Sequence, residues 1–192
     1  MTYLMTIDSG NTHVKWGLHD GSNWLEQGTI AQDKSILLQQ EWKRLPTPHG
    51  IIISNVSSIE TKKKLSEFLS CWKVKPRWIT PLVYQCGVRN YYADPSLLGS
   101  DRWAALIAAW NWQKKGCLVV DVGTAMTVDA LSDTGEFLGG IIVPGFKLMK
   151  ESLTTNITTL QNQKGEFCVF PNNTANAIHS GTVHALVGTV KR

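Results

Sequence analysis

The sequence predicts an α/β fold built on two copies of one three-stranded antiparallel unit. Three observations lead to this fold class. First, an apolar run precedes an Asp-x-Gly turn twice, as "YLMTI" before "DSGNT" and as "CLVV" before "DVGTA". Second, alternating apolar and polar residues follow each turn, a pattern typical of half-buried strands. Third, helical and apolar segments alternate between the two copies, so we expect mixed sheets with flanking helices.

The first copy and the segments after it are interpreted in chain order. "YLMTI", "HVKWGLH" and "NWLEQGTI" predict its three strands. "KSILLQQEWKRL" predicts an amphipathic helix, "GIIISNV" a central strand and "RWIT" a short strand. "SSIETKKKLSEFLSCW" predicts a helix that begins with a capping box of Ser57 and Glu60. "GVRNYYADPSLLGS" is expected to be a loop, and "DRWAALIAAWNWQKK" a helix that ends at Gly116.

The second copy predicts the strands "CLVV", "MTVDAL" and "EFLGGIIV". Two helices are expected after it, "KLMKESLTTNITTL" and "TANAIHSGTVHALVGTV", with the polar loop "QNQKGEFCVFPNN" between them. The natural division of the chain lies near Gly116. We therefore expect an N-terminal lobe over residues 1–115 and a C-terminal lobe over residues 116–192.

Composition narrows the classes of function. The chain of 192 residues is 43% hydrophobic and carries a net charge of +4, which suits an anionic small molecule. It lacks the dense basic patches of a nucleic-acid-binding protein. No segment approaches the roughly 20 apolar residues that cross a bilayer, and "MTYLMTI" is not a signal peptide. The four irregularly spaced cysteines are typical of reduced thiols. We expect a cytoplasmic protein that binds neither nucleic acid nor membrane.

The two Asp-x-Gly turns have a chemical use. Glycine permits a sharp turn and a close approach of an anion, and successive backbone N–H groups form a nest for phosphate oxygens. An aspartate repels phosphate directly but can bridge to it through Mg²⁺. Asn11, Thr12, Thr124 and Thr127 would add side-chain donors. The pair of turns therefore predicts a triphosphate clamped from both sides.

Other phosphate-binding motifs are absent from the sequence. There is no G-x-G-x-x-G, so a Rossmann fingerprint is excluded. Gly140 and Gly145 have the spacing of a P-loop, but Phe146 and Lys147 follow in place of Lys-Ser/Thr.

The segment "YYADPSLLGSDRWAAL" allows two readings. In the first, Ser100 or Asp101 only caps the following helix and Arg102 is a surface charge. In the second, the helix start presents Asp101 to accept a hydroxyl proton and Arg102 to hold a carboxylate.

Five motifs together resemble one family. "DSGNTHVK", "YADPSLLGSDRW", "DVGTAMTVDA", "GGIIVPG" and "NNTANAIHSG" are similar in order and spacing to those of type III pantothenate kinases, which are related to the Bvg accessory factors. That family belongs to the superfamily of acetate and sugar kinases, Hsc70 and actin. The resemblance implies two RNase H-like (actin-like ATPase) lobes that arose by duplication. It also implies ATP-dependent phosphorylation of pantothenate to 4'-phosphopantothenate, the first step of coenzyme A biosynthesis.

The resemblance assigns a role to individual residues. Asp101 would be the general base and Arg102 a partner of the substrate carboxylate. Asp8 would bind Mg²⁺, and Asp121 would bind a monovalent cation, K⁺ or NH₄⁺. The residues assigned to ATP are Asp8, Ser9, Gly10, Asn11, Thr12, His13, Val14, Lys15 and Thr124. The residues assigned to pantothenate are Tyr92, Gly99, Ser100, Asp101, Arg102 and Thr174.

The resemblance carries further expectations and leaves alternatives. The family is typically dimeric, and the apolar circumference of "DRWAALIAAWNW" agrees with a homodimer. Family chains usually continue past the final helix, so the second lobe is expected to be shortened at its C-terminus.

One alternative function is that of a non-catalytic accessory protein that retains the kinase fold. Another is a sugar or acetate kinase or a phosphatase, against which the segment from Tyr92 to Arg102 argues.

Overall fold

The computed structural model describes residues 2–156 and 164–191. Within those ranges the chain forms ten strands and five α-helices. The strands are β1 (Leu4–Ser9), β2 (His13–His19), β3 (Trp24–Ala31), β4 (Gly50–Asn55), β5 (Arg77–Trp78), β6 (Tyr84–Gln85), β7 (Val88–Asn90), β8 (Cys117–Val122), β9 (Ala125–Leu131) and β10 (Glu136–Pro144). The helices are α1 (Leu38–Trp42), α2 (Ile59–Leu69), α3 (Ser100–Gln113), α4 (Phe146–Asn156) and α5 (Thr174–Val190). Short 3-10 helices cover Gln32–Leu37, Ser70–Trp72 and Pro95–Leu97.

The first sheet has the strand order β3-β2-β1-β4-β5. β1 is antiparallel to β2 and parallel to β4, and its register places Asp8 opposite Ser54 and Ser9 opposite Asn55. The three predicted strands of the first copy are therefore confirmed. Because β1 and β4 are parallel, their carboxyl ends lie side by side at one edge of the sheet.

The core of the first sheet follows from its alternating residues. Met5 and Ile7 of β1 and Val14 of β2 point to the same face and are buried. They pack in one cluster with buried residues of α1 and α2, among them Trp42 and Leu65. This burial of apolar surface is the main force that fixes the strand ends.

The second sheet has the order β6-β7-β10-β9-β8. β9 is antiparallel to both β8 and β10, while β10 is parallel to β7. The antiparallel unit of the second copy is thus confirmed, as is the α/β class with two mixed sheets and flanking helices. Among the described residues β8 is an edge strand, and its Leu118, Val120 and Val122 are exposed.

Some predicted elements differ from the structure. The N-cap of α2 is Ser58, whose hydroxyl accepts from the backbone N–H of Thr61, so the predicted cap at Ser57 was wrong. Ser57 instead bonds the hydroxyl of Thr61, because the helix begins one residue later than the motif suggested. The predicted first helix begins as a 3-10 turn, and the predicted loop contains β7. Residues 157–163, predicted as helix and loop, lie outside the described residues.

Contacts between Cα atoms divide the chain into two compact units. One comprises Met1–Gln85 with Tyr92–Ile107, and the other comprises Cys86–Tyr91 with Ala108–Arg192. The lobes over 1–115 and 116–192 remain a prediction. Across the described part of the chain, no helix combines the length and apolar character needed to span a membrane.

Candidate active site

The first Asp-x-Gly turn joins β1 to β2 and forms a tight hairpin. Gly10 closes it, because its backbone N–H donates to the carbonyl oxygen of His13 at 3.0 Å. Asp8 lies directly opposite Lys15, and Asp8 is half-buried whereas Lys15 is exposed. The tip of the hairpin, residues 11–13, is also exposed. A carboxylate, an amine and a glycine turn therefore stand together at one strand end, a combination that suits a phosphate with a bridging cation.

The side chains of Ser9 and Val14 point away from the exposed side of the hairpin. Both side chains are 0% exposed. The carbonyl oxygen of Ser9 accepts from the backbone N–H of Val56, at 3.0 Å. Ser9 and Val14 thus fix the hairpin on the sheet, and their side chains do not line its exposed side.

Gln32, the first residue after β3, contacts the same hairpin three times. Its backbone N–H donates to the carbonyl oxygen of Thr12 at 2.9 Å. Its side-chain Nε2 donates to the carbonyl oxygen of Gly10 at 2.9 Å and to Ser9 Oγ at 3.3 Å. The hairpin is therefore held from outside its own two strands.

The start of α3 is attached to the neighbouring strand end. Ser100 Oγ lies 3.0 Å from Ser54 Oγ and accepts from the backbone N–H of Asn55 at 3.1 Å. Ser54 and Ser100 are both buried. Since Asn55 pairs with Ser9 in the parallel ladder, the hairpin and the helix start are joined to adjacent strands of one sheet.

Asp101 lies in the first turn of α3 and is half-buried. Its Oδ1 accepts from the backbone N–H of Arg102 at 2.7 Å, which fixes one of the two carboxylate oxygens. A Cβ added at Gly99 would lie 2.5 Å from that Oδ1, so only glycine leaves room for the carboxylate in this position. Such a carboxylate at a helix N-terminus can accept a proton from a bound hydroxyl.

Arg102 is buried, with 7% of its surface exposed. Its guanidinium carbon lies 5.9 Å from the ring centroid of Tyr92. A buried guanidinium attracts an anion more strongly than an exposed one does, because water screens it less. The reading of Arg102 as a surface charge was therefore wrong.

The loop before this helix is held by a local turn. Asp94 Oδ1 accepts from the hydroxyl and the backbone N–H of Ser96, at 2.7 and 2.9 Å. These hydrogen bonds to Ser96 hold the pKa of the Asp94 carboxyl below its usual value. The predicted turn at Asp94-Pro95 is confirmed, and it opens the 3-10 helix Pro95–Leu97.

The second Asp-x-Gly turn joins β8 to β9 and is one residue shorter than the first. The backbone N–H of Gly123 donates to the carbonyl oxygen of Ala125 at 2.9 Å, and Asp121 lies opposite Thr127. Asp121 and Thr124 are exposed. The turn is supported from one side by Gly145, whose backbone N–H donates to the carbonyl oxygen of Thr124 at 2.8 Å.

Gly145 packs too closely on this turn for any side chain. An added Cβ would clash with the carbonyl oxygen of Gly123 and would lie 2.7 Å from that of Thr124. The fold therefore requires glycine at position 145, the last residue of "GGIIVPG", because a larger side chain does not fit there.

Thr174 is the first residue of α5 and is exposed. The helix is capped by Asn173, whose Oδ1 accepts from the backbone N–H of Asn176 at 2.9 Å. Thr174, Asp121 and Thr124 all belong to the second unit, whereas the hairpin and the start of α3 belong to the first.

Sequence reasoning missed three residues that shape these segments, Gln32, Ser54 and Asn55, and it did not assign Gly145 its packing role. The polar pair Ser54-Asn55 after the apolar "GIII" was an available signal, because polar residues at a strand end often serve a site. Gln32 carries no sequence signal. Gln32 Oε1 and Asn55 Oδ1 are buried without a hydrogen-bond partner among the described residues.

The aspartate at the first turn fits a magnesium ion. Mg²⁺ is usually bound by one or two carboxylates, with substrate phosphates and water as the other ligands. Asp8, which is half-buried beside a glycine turn, would supply one such carboxylate. Within residues 2–156 and 164–191, no three His, Cys, Asp or Glu side chains are grouped to form a complete metal cage.

Comparisons of sequence place the chain among known proteins. The sequence profile of the family described as "Type III pantothenate kinase" matches residues 4–192. A type III pantothenate kinase of Nitrosospira multiformis is 57% identical over 189 residues, which are 98% of this chain and 72% of that protein. One from Nitrosomonas eutropha is 51% identical over 193 residues, which cover 100% of this chain and 75% of that protein.

A solved structure has a similar fold. The crystal structure of a Baf family protein from Campylobacter jejuni matches with a TM-score of 0.57 and 23% sequence identity. The match covers 97% of this chain and 78% of that one. At this level of identity the similarity concerns the fold alone.

Proposed function

Because the chain belongs to the type III pantothenate kinase family, we propose that it phosphorylates pantothenate with ATP and forms 4'-phosphopantothenate for coenzyme A biosynthesis. The observation that carries this proposal is the attachment of the Asp8 hairpin and the Asp101 helix start to adjacent strand ends. Phosphoryl transfer needs placement and charge stabilisation more than covalent chemistry. Neighbouring strand ends supply such placement.

The first hairpin is the proposed phosphate-binding segment, and it comprises residues 8–15. Backbone N–H groups of its glycine turn would meet phosphate oxygens, with Asn11 and Thr12 as side-chain donors. Lys15 is exposed beside Asp8 and would add positive charge. Asp8 would hold Mg²⁺, which offsets part of the charge on the triphosphate.

The start of α3 is the proposed acceptor site. Asp101 would take the proton of the primary hydroxyl of pantothenate while that oxygen attacks the γ-phosphorus. The bond from the γ-phosphorus to the β,γ-bridging oxygen then breaks, and ADP leaves. Arg102 would pair with the pantothenate carboxylate, beside the ring of Tyr92.

Gly99 and Ser100 support this acceptor site in different ways. Gly99 leaves the room that the Asp101 carboxylate occupies. The hydroxyl of Ser100 is engaged by Ser54 and Asn55. Ser100 would therefore serve by fixing the helix start, and any direct contact with substrate would use its backbone.

Three residues of the second unit are given roles by the family resemblance. Asp121 is proposed to bind K⁺ or NH₄⁺, Thr124 to contact ATP and Thr174 to contact pantothenate. Their exposure leaves these side chains accessible to ligands. We also propose a cytoplasmic homodimer that binds no nucleic acid or membrane. Trp112, which is 92% exposed at the end of α3, is a large apolar side chain that a second subunit could cover.

A coupled assay of ADP release tests the function. The purified protein is supplied with ATP, Mg²⁺ and pantothenate, once in potassium chloride and once in sodium chloride. Turnover that requires pantothenate and is faster in potassium is expected. A folded protein that binds Mg-ATP but shows no turnover in either salt would contradict the proposal and favour a non-catalytic accessory protein.

A further inference from the structure

We propose that Gln32 is a positioning residue that sets the backbone of the phosphate-binding hairpin, residues 8–15. The inference rests on the proposed function of that hairpin. Gln32 lies outside the hairpin, at the end of β3, yet its backbone N–H and its side-chain amide both donate to it.

The orientation of the Gln32 amide follows from its partners. A backbone carbonyl oxygen can only accept a hydrogen bond, so the NH₂ group of Gln32 must face Gly10. The 2.9 Å distance between Gln32 Nε2 and Gly10 O is that of an ordinary N–H···O bond. The second contact, to the buried Ser9 Oγ at 3.3 Å, directs the same NH₂ group.

Holding the Gly10 carbonyl also fixes an N–H group. The described peptide bonds are all trans, and in a trans peptide the C=O and the following N–H point in opposite directions. When Gln32 holds the Gly10 oxygen toward β3, the backbone N–H of Asn11 points away from β3. Gln32 thus aims the donor at the exposed tip, where the proposed phosphate would bind. The backbone N–H of Gln32 holds the carbonyl oxygen of Thr12 in the same way.

The side chain of Gln32 is not arranged for stability alone. Its Oε1 is buried and has no hydrogen-bond partner among the described residues. A buried acceptor without a donor is unfavourable, and this cost opposes the gain from the two bonds of Nε2. Replacement of the amide by an apolar group of similar length should therefore change stability little, although it frees the Gly10 carbonyl.

The test uses two substitutions and a matched control. Gln32→Met keeps the length of the side chain without its donors, and Gln32→Glu keeps its shape but presents only acceptors. Gln40→Met makes the same chemical change at an exposed position of α1. For all three variants, KM for Mg-ATP, KM for pantothenate, the dissociation constant of a non-hydrolysable ATP analogue and the thermal midpoint are measured.

We expect both Gln32 variants to raise KM for Mg-ATP and the dissociation constant of the analogue about tenfold, the effect of losing one well-placed hydrogen bond to a charged group. KM for pantothenate should stay within about twofold of the wild-type value, since the acceptor site is attached elsewhere. In Gln32→Met the thermal midpoint should fall by less than about 4 °C. Gln40→Met should change none of these.

Two results would overturn the inference: unchanged nucleotide affinity in both Gln32 variants, or an equal rise in both KM values. The direct binding measurement separates this outcome from a failure of the proposed function. If the wild type lacks turnover but binds the analogue, and the Gln32 variants bind it more weakly, the function fails while the role of Gln32 stands. If the wild type does not bind the analogue, the inference fails as well.

Discussion

The hydroxyl groups of Ser54 and Ser100 lie 3.0 Å apart, and their contact joins the carboxyl end of β4 to the start of α3. Ser54 is opposite Asp8 in the β1–β4 ladder, and Ser100 directly precedes Asp101. The two serines therefore link the proposed magnesium ligand to the proposed base through one strand pair and one hydrogen bond. Both side chains are buried, so water does not compete for this bond.

Replacement of Ser54 by alanine should loosen the helix start. Ser100 Oγ would keep only the N–H of Asn55, and we expect a loss of about 1 kcal/mol in the free energy of unfolding. The value of kcat/KM for pantothenate should fall about tenfold, because Asp101 is less well placed, while KM for ATP changes little. Ser66→Ala, which removes an exposed hydroxyl on α2, is the control for urea unfolding and for kinetics. Equal losses in the two variants would refute the linkage.

Replacement of Asp101 by asparagine should abolish turnover without loss of nucleotide binding. The amide oxygen can still accept the bond from the Arg102 N–H, so the fold is retained, but it does not act as a base at neutral pH. We expect kcat to fall at least about 100-fold, as is usual for lost general-base assistance. Steady-state assays with a calorimetric measurement of Mg-ATP binding check this. Asp133→Asn, in an exposed turn, is the control, and unchanged kcat in Asp101→Asn would remove the base assignment.

Replacement of Gly145 by alanine should disturb the second Asp-x-Gly turn. The new Cβ would clash with backbone atoms of Gly123 and Thr124, and backbone cannot move aside as a flexible side chain can. Overpacking of this kind costs about 1–3 kcal/mol, to be measured by urea unfolding. Gly181→Ala, on α5 where nothing lies within 4 Å of the new Cβ, should be neutral or stabilising. A Gly145→Ala protein as stable as Gly181→Ala would contradict the packing at this turn.

The elements that could be predicted from the sequence are those with strong local signals. β1, β2, β8 and β9 follow from apolar alternation around the two Asp-x-Gly turns. α5 begins at Thr174, where the sequence had placed it, because Asn173 is a favourable N-cap. In each case neighbouring residues determine the conformation, so no knowledge of the tertiary structure is needed.

The parts that could not be predicted depend on residues distant in sequence. Nothing near Gln32 indicates that its amide reaches Gly10, because the contact exists only once β3 has paired with β2. The Ser100 hydroxyl likewise reaches Ser54 only when β4 lies beside the start of α3 in the folded chain. A local reading of Ser100 as a helix cap was reasonable for a serine at that position, but tertiary contacts override it.

The parallel pairing of β1 with β4 implies an order of assembly. The β1–β2 hairpin closes over a few residues, whereas Leu4 meets Gly50 only after a far longer loop has closed, at a greater entropic cost. Contacts between close neighbours form sooner in folding than distant ones. A refolding chain should therefore form the β1–β2 hairpin first and fix the position of Asp101 later. In a stopped-flow experiment, recovery of turnover should lag behind hairpin formation and mark completion of the long-range ladder.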